Sequence, residues 1–207
     1  CAEQIILRLA TGAYRRPVDD KEIATLMTFY RAGTQDGGFE AGIRTALQAI
    51  LASPDFVFRF EEPGTGEGSE SSRLNDLDLA SRLSFFLWSA PPDDELRELA
   101  NEGNLSDADT FDLQVKRMLA NPRSEALGSR FASLWLRLQD LDLVHPDSLR
   151  FPDFYQQLVS SMHRETELFF ENLVREDRSA LELLTADYSF VDERLARHYG
   201  ISGVLGE

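Results

Sequence analysis

One cysteine, Cys1, stands in the 207-residue chain, so no disulfide can close within it. No Cys-x-x-Cys-His run is present to attach haem. No run of about 18 apolar residues occurs, which leaves no segment suited to span a bilayer as a helix. The alternation that marks half-buried strands is never sustained, and no repeat of 20 to 50 residues appears. Glycine-rich phosphate loops, the Gly-x-Ser-x-Gly elbow and His-Glu-x-x-His are all missing. So is the Glu-x-x-His pair that helix-bundle dimetal sites require on each of two helices. The chain also has no initiator Met, signal peptide or targeting tail. It is expected to be a segment of something longer, cut on its C-terminal side, and so silent about its compartment.

What is present describes a globular chain: 43% hydrophobic and 28% charged residues, with a formal charge of −15. Residues 1–60 hold seven basic and seven acidic side chains, whereas residues 61–207 hold 14 and 29. Such a surface repels phosphate backbones and anionic lipid, which argues against nucleic acid and polybasic membrane docking. Ordinary solubility explains it as well. Three readings stand for Cys1: a lipid-modified N-terminus, a boundary artefact, or half of a disulfide whose partner lies upstream.

Residues 2–10 place Ile5, Ile6 and Leu9 at helical spacing, with Gly12 as the stop. After the Tyr14-Arg15-Arg16-Pro17 connector, Asp19 or Asp20 caps a second helix that carries Ile23, Leu26, Met27 and Tyr30 on one face and ends before Gly33. A third helix spans 39–53, and Pro54 breaks it. Phe56, Val57, Phe58 and Phe60 are expected as a helical turn that plugs a core. Residues 61–73 are rich in Gly, Ser and Glu with no apolar residue, and they read as a flexible linker.

Beyond the linker, Asn75 or Asp76 caps a helix ending in Phe85-Phe86-Leu87-Trp88. A short acidic helix runs to about Ala100, and Ser106 with Asp109 has the form of a capping box. Ala126, Phe131, Leu134, Trp135 and Leu138 make the buried stripe of a further helix, followed by a loop over 139–152. The longest helix is read over 153–175, with Tyr155, Leu158, Val159, Met162, Phe169 and Leu173 as its core face. Ser179 caps a short helix, and a last one runs over 191–199 to Gly200. The fold class is therefore all-α: a three-helix subdomain over 1–60, a linker over 61–73, and a larger helical subdomain over 74–207.

Chemistry-bearing residues concentrate in 151–201. His163, Glu167 and Glu171 share one flank of the long helix, where nitrogen and oxygen ligands would suit a transition metal. A solvated charged flank explains them at lower cost, and no metal is assigned. Glu165 lies beside the apolar stripe, as Arg82 does on its own helix. A charge in a core needs a partner, so a buried Glu165–Arg82 pair is expected, with Arg130 as second choice. A second cluster holds Asp187, Tyr188, Asp192, Glu193, Arg194 and His198. Ser189, His198 and Asp187 can be written as a triad, yet no oxyanion loop accompanies them. The candidate catalytic residues are thus Glu165, His163, Asp187 and His198.

Ala13-Tyr14-Arg15-Arg16-Pro17 and Ala46-Leu47-Gln48-Ala49-Ile50-Leu51-Ala52-Ser53-Pro54 resemble one small domain of the large planctomycete-type proteins associated with cytochrome c domains. Arg82-Leu83-Ser84-Phe85-Phe86-Leu87-Trp88, Arg164-Glu165-Thr166-Glu167-Leu168-Phe169-Phe170 and residues 186–201 resemble the domain that follows it. Both are domains of unknown function, so the resemblance brings no catalytic residue. It implies an extracytoplasmic setting, periplasmic or cell-surface. It also implies that haem c, if the parent has it, belongs to another domain; no cofactor is assigned to this segment. The expected function is a helical scaffold or interaction module whose partners are the neighbouring domains of the parent chain. The alternative is an enzyme domain acting on an extracellular substrate, by a redox or polysaccharide-processing step, with its site between helices 153–175 and 191–199.

Overall fold

Every regular element among residues 1–61 and 74–206, which the computed structural model describes, is a helix, and none is a strand. These residues fall into two compact units, Cys1–Phe85 with Ala90–Gln114, and Phe86–Ser89 with Val115–Glu207. Apart from Glu61, the stretch expected as a linker lies outside the described residues.

In the first unit, helix α1 (Ala2–Tyr14) buries Ile6, Ala10 and Tyr14, one per turn, and runs past Gly12 to end on a left-handed Arg15. Helix α2 (Asp20–Ala52) opens with a capping box between Asp19 and Glu22 and bends at Gly37 and Gly38. Gly38 has φ 75, a conformation that favours glycine. The first arm does not stop at Gly33 as expected. Gly33 and Gly42 lie instead where the two arms press together: a Cβ on Gly33 would run into Thr45 Oγ1 and lie 2.7 Å from the Ala41 carbonyl. Ile6, Ala10, Tyr14, Leu26, Ala46 and Ile50 fill the core between α1 and α2.

Ser53 caps the four-residue helix α3 (Pro54–Val57). The turn is helical as expected, but it plugs no core: Phe58 is 58% exposed and Phe60 65%. The backbone becomes extended at Phe58, so the rings at 58 and 60 fall on one side, with centroids 6.0 Å apart. Asn75 accepts the Asp78 N–H at the start of helix α4 (Asp76–Trp88). Helix α5 (Asp94–Asn101) is capped by Asp93. Helix α6 (Ala108–Ala120) is capped by Asp107, not by the expected Ser106, since the Thr110 N–H donates to Asp107 at 3.0 Å. Asp76 fixes the preceding loop by accepting the Leu105 and Ser106 N–H groups at 2.7 and 3.2 Å.

In the second unit the Trp88 indole donates to the Met118 carbonyl at 2.9 Å. The stripe expected over 126–138 is not one α-helix. A π-helical segment (Leu127–Ala132) leads into the short α7 (Ser133–Trp135) and a 3₁₀ segment (Leu138–Leu143). The i→i+5 winding shifts the register, and Leu134 and Trp135 turn outward instead of into a core. Helix α8 (Gln156–Arg175) starts three residues after Asp153. Gly128 of the π-helical segment lies against α8, where a Cβ would come within 3.3 Å of the Glu167 carbonyl. Helix α9 (Glu182–Thr185) and helix α10 (Glu193–Tyr199) complete the chain, α10 capped by Asp192 and closed by Gly200 at φ 73.

Candidate functional site

Helix α8 sends its polar residues to three different places. Its Glu165 carboxylate accepts the Tyr199 hydroxyl at 2.8 Å and, on its other oxygen, the Ser189 hydroxyl. It thereby ties the end of α10 and the turn before it to α8. Burial, and then the hydrogen bond to Glu165, push the Tyr199 phenol up to about 12. Arg82 and Glu165, expected as a pair, belong to different units, and each has partners within its own. Arg82 donates Nε and Nη2 to Glu61 at 2.7 Å each, which lowers the Glu61 pKa. Glu165 meets hydroxyls, which satisfy a half-buried carboxylate without an opposite charge.

One turn earlier, the buried Ser161 hydroxyl donates to Asp192 at 2.6 Å, and Arg194 lies 3.7 Å from the same carboxylate. Burial opposes ionisation of Asp192. The hydrogen bonds from Ser161 and the Leu195 N–H, with the charge of Arg194, outweigh it and hold the pKa below its ordinary value. Asp192, Arg194, Arg197, His198, Asp153 and Tyr155 line a hollow of about 580 Å³ beside the start of α8.

His163 faces elsewhere. It lines a separate hollow of about 470 Å³ with Arg130, Ser129, Ser133 and Asp142, and its Nε2 is buried with no hydrogen-bond partner. The flank it shares with Glu167 and Glu171 is not simply solvated, because Glu167 accepts from Ser133 and Gly128 packs on both glutamates. Asp187 is exposed on the turn before α10. The four candidate catalytic residues are thus not gathered: His163 and His198 line different hollows, and Glu165 is tied down by two hydroxyls. Among the described residues no group of three or more His, Cys, Asp or Glu could hold a metal ion. No described helix is long and apolar enough to cross a membrane.

The sequence reading missed a polar centre in the first unit. The guanidinium of Arg15 donates to the carbonyls of Asp55, Phe58 and Phe56 at 2.6, 2.9 and 3.4 Å. Beside it, Arg16 forks onto Glu22 at 2.7 and 3.1 Å and reaches Asp55 at 2.9 Å. The hydrogen bond from Arg16 keeps the Glu22 pKa low. Arg59 stacks over Phe85 at 4.9 Å. The arginines and carboxylates of this centre, with Arg82, Glu61, Phe58 and Phe60, surround a cleft of about 560 Å³. The one sequence signal for it was a pair of adjacent arginines before Pro17, with their acidic partners six and 39 positions away.

Fold and site define a class: among the described residues, an all-helical arrangement of two units, each with polar hollows. It belongs to the family described as PSD4, protein of unknown function (DUF1592), which matches residues 74–201. Residues 1–61 match a second family, PSD5, protein of unknown function (DUF1595), so the two domains of unknown function named by the resemblance follow one another here. Searches of curated proteins and of solved structures gave no match.

Proposed function

We propose that the chain is a helical scaffold or interaction module of an exported, cytochrome-c-associated multidomain protein, and that its partners are the neighbouring domains of the parent. The sequence layout of 1–60, 61–73 and 74–207, the extracytoplasmic setting and a haem c carried by another domain belong to the same proposal.

One surface of the second unit supports it. Phe131 meets Phe86, Trp135 and Phe170 at 5.2, 5.9 and 6.0 Å, making one continuous aromatic cluster. Phe86 and Trp135, its outer members, are 51% and 57% exposed. Contiguous exposed aromatic surface of this kind marks interaction sites, whereas scattered apolar residues do not. The test is to mix the chain with the flanking segments of its parent and measure association by analytical ultracentrifugation. Trp135→Ala with Phe86→Ala is expected to weaken association by about tenfold or more, as loss of interface aromatics does. Association that ignores both substitutions would end this reading.

The hollow lined by His198 and Arg194 favours a second reading, an enzyme domain acting on an extracellular substrate at the place the sequence suggested. Under it, any turnover of an extracellular polysaccharide by the chain should collapse in His198→Ala while helicity stays unchanged.

A further inference from the structure

The cleft of the first unit has a composition that selects its ligand. Four arginines, Arg15, Arg16, Arg59 and Arg82, line it against five Asp and Glu side chains, so it holds almost no net charge despite being densely polar. Its ionic groups are largely matched already: Arg16 with Glu22 and Asp55, Arg82 with Glu61, and Arg15 with three backbone carbonyls. At Arg16 and Arg82 an anion would have to displace a carboxylate, and at Glu22, Asp55 and Glu61 a cation would have to displace a guanidinium.

Matched pairs keep hydrogen-bonding capacity. A guanidinium has five N–H donors, of which Arg82 commits two to Glu61, and a carboxylate has about four acceptor sites. Donors and acceptors therefore alternate at close spacing, a pattern that suits groups able to give and take a hydrogen bond at once. Hydroxyls do both. At the same cleft Phe58 and Phe60 hold their rings on one side of an extended stretch, mostly exposed, where an apolar ring face can cover them. A volume of about 560 Å³ lies in the range of small-molecule sites.

We propose that this cleft binds a neutral oligosaccharide, with Phe58 and Phe60 against the C–H face of a sugar ring and the arginine–carboxylate pairs on its hydroxyls. The inference does not depend on the scaffold reading, which concerns the second unit. The 207-residue chain would be titrated by calorimetry and by amide NMR shifts with cellohexaose, xylohexaose and mannohexaose, and with chondroitin sulfate and polygalacturonate as anionic arms. At least one neutral hexaose is expected to bind, to shift the amides of residues 55–61, and to lose about tenfold or more in affinity in Phe58→Ala and Phe60→Ala. Both rings are exposed, so helicity and melting should be unaltered; Phe60→Tyr should restore binding. The proposal fails if no neutral hexaose binds at millimolar concentration. It also fails if binding survives both alanine substitutions, or if the polyanions bind more tightly than the neutral sugars.

Discussion

The two units bury their cores by different means. The first is held by backbone approach and by charge: glycines let the arms of α2 touch, and one arginine gathers three carbonyls of the α3 turn. The second adds to its buried apolar residues single hydroxyl and carboxylate links radiating from α8, to Asp192, Tyr199 and Ser189. Its intervening segments are π-helical and 3₁₀ rather than α, and they leave Leu134 and Trp135 outside. A close-packed crossing tolerates almost no added atom, whereas a linked one loses its connections separately. The difference predicts an order of sensitivity.

The largest effect belongs to the α2 crossing. Gly33→Ala puts a methyl 2.7 Å from the Ala41 carbonyl, which is backbone and cannot swing away. About 3 kcal/mol of stability should be lost, read from urea unfolding of the whole chain, as for other overpacked sites. Gly42→Ala meets the side chains of Thr34 and Tyr30 and should cost less. If the two substitutions were equally mild, the close-packed account of the first unit would be wrong.

Next comes Arg15→Met, which keeps the stem but strips three carbonyls of their donor. A loss of about 2 kcal/mol follows from hydrogen bonds to a charged group. Arg15→Lys should recover little of it, because an ammonium cannot fork across three acceptors. Asp192→Ala removes both the α10 cap and the partner of Ser161, for about 1–2 kcal/mol. Because the Asp192 pKa is lowered in the folded chain, its contribution is present above the ordinary carboxylate pKa and fades as pH falls through the lowered value. The stability gap between the chain and Asp192→Ala should therefore narrow on acidification.

That ranking also separates what the sequence could reveal from what it could not. Helix existence was legible because Ile5, Ile6, Leu9 and the α8 stripe recur at helical steps, although the face α1 buries is Ile6, Ala10 and Tyr14 and it runs on past Gly12. A cap at Asp19 or Asp20 was legible because a cap acts within one turn, and the structure selects Asp19. Gly33 misled, since a glycine inside a close crossing looks the same in sequence as one that ends a helix. The 126–138 stripe misled because an α-period was assumed where Leu127–Ala132 winds with i→i+5 bonds. Partner choice is hard to read for the same physical reason in both units. Glu165 could be read as needing a partner, but nothing local distinguishes Arg82 from Tyr199 and Ser189, 34 and 24 positions away. The Arg15–Arg16 centre rests on contacts as much as 43 positions apart, beyond any periodic signal.

The smallest effect tests the linked unit at a single bond. Tyr199 donates to Glu165, and its pKa is raised from 10.0 to about 12 by burial first and the carboxylate second. A phenolate formed there would face a carboxylate that has just lost its donor, so folding favours the neutral phenol. The stabilisation is fully present below the unfolded value near 10 and is lost as pH rises through about 12. Alkaline absorbance titration should show a late-ionising tyrosine that disappears in Tyr199→Phe, while Tyr188, raised by its hydrogen bond to Glu182, stays. Glu165→Gln keeps an acceptor but removes the charge, so it should bring that ionisation earlier without abolishing the shift, because burial remains. If Glu165→Gln left the late ionisation untouched, the tie between α8 and α10 would be packing alone, and the second unit would owe less to polar links than its geometry implies.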